Sequence, residues 1–155
     1  MKSKFTDSIE KFNKMYGLPA NSMPTIPFTH SKELGTAKEQ LINRLRRFSQ
    51  IMTEEIEEAA YIIELVNAGD SPAEVLTAIA DWLGDMQIYC ASEMLKFGLD
   101  NDLVLDTIMA SNMSKLGADG KPIYDERGKV LKGPNYWRPE PMIQRYIEAA
   151  IRQKA

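Results

Sequence analysis

The chain has 155 residues, 44% apolar and 26% charged, with a formal net charge of -3. That length fits one domain with a sizeable core, and the mild acidity argues against a general nucleic-acid binder while leaving a local basic patch open. There is no apolar run of about eighteen residues and the start, Lys2 to Asn13, is polar, so no membrane span or secretory leader is expected, and the cytoplasm is the expected location.

In chain order, the polar lead from Ser3 to Tyr16 predicts a short helix stopped by Gly17. Leu18 to Ser31 contains Pro19, Pro24 and Pro27. It should run extended over the surface or over a partner subunit, because proline and the residue before it disfavour helix. From Thr36 to Asn67 no Pro or Gly intervenes. Leu41, Leu45, Phe48, Met52, Glu55, Ala59, Ile62 and Val66 recur there at alternating steps of four and three, the seam of one long packed helix. Ala68-Gly69-Asp70 breaks it. Ser71-Pro72-Ala73-Glu74 then reads as an N-cap, a first-turn proline and a capping-box glutamate. The second long helix so opened runs to about Phe97, with Gly98 as its stop. It has little obvious solvent face from Ile79 to Leu95, which suits burial against a partner.

Asp100 or Asn101 starts a third helix that continues through Leu116, and short connections make neighbouring helices roughly antiparallel. Past Gly117, glycines and prolines exclude a long helix. Lys121–Tyr124 and Lys129–Leu131 suit a small hairpin around Glu126–Gly128. Pro141 to Lys154 forms a last amphipathic helix. The expected fold class is all-α, a helical bundle with a short irregular or hairpin segment after the third core helix. Cys90 is alone, which removes a disulfide framework and a thiolate zinc site. Its apolar helical setting predicts a small core residue.

The acids carry the chemical signal. Residues three or four apart on a helix share a face, so Glu55 pairs with Glu58, and Glu54 can pair with Glu58. Glu55 stands in the apolar seam and Glu58 in line with Phe48, Ile51, Ile62 and Leu65, which predicts that both are drawn inward. On the second helix Asp81 and Asp85 lie one turn apart among Ile79, Trp82, Leu83, Met86, Ile88 and Tyr89. Aspartate is a poor mid-helix residue because its short side chain competes for the backbone. If the two helices pair, carboxylates from both converge, and such crowding needs either raised pKa values or a cation. An all-oxygen set suits Mg²⁺ or Mn²⁺ better than Zn²⁺. The plain alternatives are a solvated acidic face, or acids paired with Arg44, Arg46 and Arg47.

Asn112 and Lys115 lie three apart near the end of the third helix, followed by Lys121, Lys129 and Lys132 in a glycine-rich segment. Lysines and exposed backbone N–H groups suit phosphate, although a solvated loop would read the same. No Walker-type run occurs. Tyr136 and Trp137 stack a base or anchor the tail to the bundle, anchoring being preferred. Trp82 and Tyr89 are core or pocket wall. His30, the one histidine, has no expected role, so Ser-His-Asp chemistry has little support.

Together EEIEE, ADWLGDMQIYCASEMLKFG and SNMSKLGADGKPIYDERGKVLKGPNY resemble the all-alpha nucleoside triphosphate pyrophosphohydrolases. These form the MazG-like superfamily, which includes dimeric dUTPases and phosphoribosyl-ATP pyrophosphohydrolase. The match spans about Leu41 to Pro139. The family's Glu-Glu-x-x-Glu block falls on Glu54, Glu55 and Glu58, and the final acid of its second motif on Asp85. This chain departs from the pattern three residues before Asp85, where Trp82 stands, the acid being Asp81 instead. The resemblance implies a MazG-like bundle completed as a homodimer or dimer of dimers. It further implies Asn112 and Lys115 facing the substrate phosphates, with Lys129 and Lys132 as further candidates. The chain then divides into an arm with its proline-rich lead (1–35), a catalytic helical core (36–116), a basic substrate-facing segment (117–139) and a C-terminal helix (140–155).

The activity so implied is NTP + H₂O → NMP + PPi, with dNTPs favoured as substrate. Glu55, Glu58, Asp81 and Asp85 hold Mg²⁺, or Mn²⁺ in its place, and Glu54 and Glu55 are the catalytic candidates, Glu54 orienting or deprotonating the water. No membrane partner or stable nucleic-acid complex is expected. Two rival readings remain. One is a non-catalytic helical interaction protein; the other is a metal-dependent nuclease or phosphodiesterase, which would show a continuous basic groove.

Overall fold

Capping chemistry sets most of the helix boundaries. In the computed structural model, which describes residues 2–26 and 36–153, the regular elements are six helices. They are α1 (Lys4–Met15), α2 (Ala37–Glu57), α3 (Ala59–Ala68), α4 (Pro72–Lys96), α5 (Asn101–Met113) and α6 (Glu140–Arg152). Ser3 caps α1 by accepting from the Thr6 N–H. Thr36 and Glu39 form a reciprocal capping box on α2, and Ser71 and Glu74 another on α4 with Pro72 at its first turn. The all-α expectation holds. The residue 121–131 hairpin is reduced to one antiparallel bridge, Tyr124 to Val130, closed by Leu131 N–H donating to Ile123 O at 2.7 Å. His30, Pro27 and the end of the proline-rich lead lie outside the described residues.

Several boundaries differ from expectation. The Thr36–Asn67 helix is two helices, separated at Glu58. α5 stops at Met113, not Leu116, because the Ser114 hydroxyl turns back to donate to Ser111 O at 2.7 Å. The seam is half-buried at Glu55 and buried at Ile62, but Leu45 and Val66 stand exposed in the single chain. Cys90, expected in the core, is also exposed, because α4 buries only its last turns, around Ala91, Ser92, Glu93 and Leu95.

α4 is the hub, touching α1, α2, α3 and α5, while α6 packs on α5. α2 and α4 run antiparallel: the C-terminal end of α2 meets the middle of α4 through Glu55 and Trp82, and Arg44 meets Glu93 near the C-terminal end of α4. The lead from Leu18 to Ile26 runs without helix along the end of α4, with Asn21 N–H donating to Leu95 O and Thr25 N–H to Phe97 O. Gly98 is required there twice over. Its φ is +66°, and a Cβ would overlap the Met23 carbonyl. Among the described residues no helix is long and apolar enough to cross a membrane.

The arm helix α1 is held by polar clamps at both ends, with Ile9 packed against Ala91 and Leu95 between them. At one end Asn13, 0% exposed, donates to Pro19 O and Ser92 O and accepts from the Ser92 hydroxyl at 2.7 Å. At the other, Asp102 accepts from Ser3 N–H at 2.7 Å and from the hydroxyls of Ser3 and Thr6, both at 2.8 Å. The Ser3 N–H is the main reason the Asp102 carboxyl is held below its usual range, against the opposing effect of burial.

A depressed folded value means this clamp is complete above the unfolded aspartate pKa of about 3.9 and is lost as pH falls through the lower folded value. Acidification should therefore loosen α1 in that window, and Asp102→Ala should cost about 2 kcal/mol at neutral pH. Hydrogen exchange of the α1 amides measures both; unchanged exchange would remove the clamp.

Candidate active site

The acidic block lies at the junction of α2 and α3. At the break the backbone steps by three residues instead of four: Glu58 N–H reaches Glu55 O at 3.3 Å and Tyr61 N–H reaches Glu58 O at 3.0 Å. No Gly or Pro causes it. The indole N–H of Trp82 on α4 donates to the same Glu55 carbonyl at 2.6 Å. A side chain entering the hydrogen-bond ladder is a known cause of a kink. Trp82, half-buried, thus ties the acidic block of α2 to α4.

One turn after Asp85 on α4, Tyr89 stands within electrostatic reach of the acids. Its phenol is held above its usual pKa, and the causes locate its neighbours. Although 39% of the residue is exposed, burial around the hydroxyl comes first. The charge of Glu55, a hydrogen bond to Glu55, and the charges of Asp85 and Glu58 follow. Glu55, Glu58 and Asp85 thus act on one hydroxyl from both helices. Glu55 is half-buried, whereas Glu54, Glu58, Asp81 and Asp85 are exposed. The inward reading of Glu58 does not hold in the single chain, where it stands exposed at the helix break.

Among the described residues the donors at this junction are oxygens, a set that suits Mg²⁺ or Mn²⁺ better than a softer ion. Among the described residues no three acids stand close enough to form an all-protein cage. Mg²⁺ at phosphate sites does not need one, since a few carboxylates suffice when water and substrate oxygens complete its shell.

Asp85 and Tyr89 also line a cavity of about 700 Å³ between α1, α2 and α4. Phe12 and Tyr16 of the arm and Phe48 and Ile51 of α2 supply apolar walls. Its polar end was not foreseen. Glu93, 8% exposed, is gripped by Arg44 and Lys96. Arg44 Nε lies 2.9 Å from Glu93 Oε1 as an ion pair without hydrogen-bond geometry, and Arg44 Nη2 and Lys96 Nζ each donate to Oε2 at 3.1 Å. Arg44 also covers the Phe97 ring at 5.7 Å. Of the three arginines weighed as partners for the acidic block, Arg44 has a different mate. The missed signal was spacing: Asp85, Tyr89 and Glu93 recur every four residues and so form one stripe of α4.

The basic candidates collect past the end of α5. Lys115 Nζ donates to Asn112 Oδ1 at 2.7 Å, and Gly133 N–H donates to Lys115 O at 3.0 Å, which brings Lys132 beside the helix end. Lys132 Nζ sits 4.6 Å from the centre of the Tyr136 ring. Lys129 lies apart at the hairpin tip, its N–H donating to Asp125 Oδ1. Trp137 anchors the tail through its backbone, its carbonyl accepting from the Ser111 hydroxyl and its N–H donating to Ser114 Oγ.

No protein-family model and no curated protein matches the sequence. Among solved structures, the chain is similar to the crystal structure of a proposed NTP pyrophosphohydrolase from Exiguobacterium sp. 255-15. The likeness has a TM-score of 0.52 and 21% identity and covers 100% of both chains. It is a likeness of fold.

Proposed function

We propose that this chain is a divalent-metal-dependent hydrolase that cleaves a nucleoside triphosphate, with dNTPs as the favoured class, to the monophosphate and pyrophosphate. The observation that carries this reading is the α2–α4 pairing made by the Trp82 indole on the Glu55 carbonyl, with the charges of Glu55, Glu58 and Asp85 all acting on the Tyr89 phenol. The shared fold with a proposed NTP pyrophosphohydrolase supports it.

Glu55, Glu58 and Asp85, with Asp81 one turn from Asp85, are the residues that would hold Mg²⁺ or Mn²⁺. When bound, the ion neutralises triphosphate charge and makes water more acidic. The Tyr89 phenol, held above its usual pKa first by burial and then by the charge of Glu55, keeps its proton beside that carboxylate. Glu54 orients the attacking water and takes its proton. An oxygen–phosphorus bond forms at the α-phosphorus, the bond to the α–β bridging oxygen breaks, and pyrophosphate departs. Asn112 and Lys115, with Lys129 and Lys132, receive phosphate charge.

The chain's surface also points to a homodimer or a dimer of dimers. It exposes 11645 Å² for a 17.5 kDa chain, whereas a compact monomer of that mass exposes about 7,900 Å². A chain this open has surface to bury against further copies of itself. Ile56, Tyr61, Ile63, Leu76 and Leu83 supply exposed apolar area on the α2–α3–α4 side.

Incubation with a panel of dNTPs and NTPs plus Mg²⁺, including non-canonical bases, tests the reaction. Pyrophosphate should appear in step with monophosphate. Orthophosphate alone, or no product with any member, would overturn the reading.

A further inference from the structure

The ion-pair cluster in the cavity has no part in the chemistry above, yet its position is informative. Glu93 lies two helical steps of four beyond Asp85, about 12 Å along α4. Arg44 lies eleven residues before Glu55, about 16 Å back along α2. Because the helices are antiparallel, both displacements run the same way, from the acids toward the aromatic end formed by Phe12, Tyr16 and Phe48. A nucleotide cleaved at the acids would extend its nucleoside into this space, where flat rings offer stacking faces.

The hydrogen-bonding inventory of that end is one-sided. Glu93 Oε2 accepts from Arg44 Nη2 and Lys96 Nζ, and Oε1, which accepts no hydrogen bond, is buried beside Arg44 Nε and turned away from a ligand. The Ser92 hydroxyl proton goes to Asn13. A guanidinium carries five N–H donors and an ammonium three, so Arg44 and Lys96 keep donors to spare. Arg47 adds further cationic lining. The polar edge of a ligand seated here must therefore accept hydrogen bonds. A phosphate would accept too, but it would have to sit against the buried Glu93 carboxylate and aromatic walls, where its charge is disfavoured.

We propose that Arg44, oriented by Glu93 and assisted by Lys96, determines base specificity by donating to carbonyl oxygens. The cavity then selects nucleotides of keto-edged bases, such as uracil, thymine or guanine, over those with an amino group at that edge, cytosine and adenine. An amino group would bring donors against donors and leave the cations unmatched. The inference rests on the nucleotide-cleaving reading, and binding without turnover tests it separately.

Calorimetry of the full chain with deoxynucleoside monophosphates should show uracil and guanine forms binding roughly tenfold or more tightly than cytosine and adenine forms, the scale of one charge-assisted hydrogen bond. Where triphosphates are cleaved, kcat/KM should show the same order. Arg44→Lys, which keeps the charge but loses the planar fork, should shrink the keto preference several-fold with little change for cytosine and adenine.

Equal binding of the four monophosphates by the parent chain would overturn the inference, whatever the variant does. So would an Arg44→Lys protein weakened alike for all bases, which would make Arg44 a phosphate contact. Base discrimination without cleavage of any triphosphate would uphold the pocket and remove the reaction. Cleavage without discrimination would do the reverse.

Discussion

A Glu58→Ala chain should release pyrophosphate at least a hundredfold more slowly than the parent and melt at the same temperature or higher. The rate falls because Glu58 is one of three carboxylates that act on the Tyr89 hydroxyl, and removing one preorganised charge from such a site costs on the order of a hundredfold or more. The fold does not fall with it. Glu58 is exposed at the helix break and its backbone, not its carboxylate, makes the junction bonds. Taking one charge out of a like-charged group relieves repulsion in the metal-free chain. Glu55→Gln and Asp85→Asn should behave the same way. Pyrophosphate assays paired with thermal melts decide it. A Glu58→Ala protein with near-parental rate would take the acidic block out of the reaction, and a large loss of melting temperature would mean that the block is structural.

Arg44→Ala should be the most damaging single change for stability, about 3 kcal/mol in urea unfolding. It strands Glu93, which is 8% exposed, with Lys96 as its remaining cation. Leaving a buried charge without its partner costs about 3–5 kcal/mol, and the 26% exposure of the Arg44 side chain places the effect at the lower end. Loss of the contact over Phe97 adds to it. A joint Arg44→Met, Glu93→Leu replacement should recover most of the loss, because apolar residues of similar volume tolerate that position better than half of an ion pair. A single mutant within about 0.5 kcal/mol of the parent would show that the pair contributes only surface electrostatics.

Features set by neighbouring residues were legible in the sequence. The Ser71-Pro72-Ala73-Glu74 start of α4, the stop at Gly98 and the turn at Gly69 all act within one helical turn, and all stand where the local chemistry puts them. The acids themselves were read from their spacing, and the charges of Glu55, Glu58 and Asp85 all act on the Tyr89 phenol. What sequence pattern could not supply was anything fixed by a partner far along the chain. The break at Glu58 coincides with a bond from Trp82, and the Glu93 grip depends on Arg44 forty-nine positions earlier. Glu93 in ASEML reads as an ordinary helix acid until α2 is laid against it.

Cys90 misled for the opposite reason. Its chain neighbours Tyr89 and Ala91, and Met86 and Met94 one turn away, are apolar and suggested a core position, yet the chain leaves this residue out. The basic residues past α5 were visible, but their internal order was not. Asn112 and Lys115 satisfy each other, and Lys132 rests on Tyr136, while Lys129 stands apart at the hairpin tip.

The indole of Trp82 holding the Glu55 carbonyl at 2.6 Å makes the acidic stretch a property of two segments at once. TEEIEEAA transplanted into another long helix would keep winding straight, and its glutamates would fan out at ordinary helical intervals. The motif is therefore not portable: whoever borrows the glutamates must also borrow the tryptophan that bends the chain beneath them.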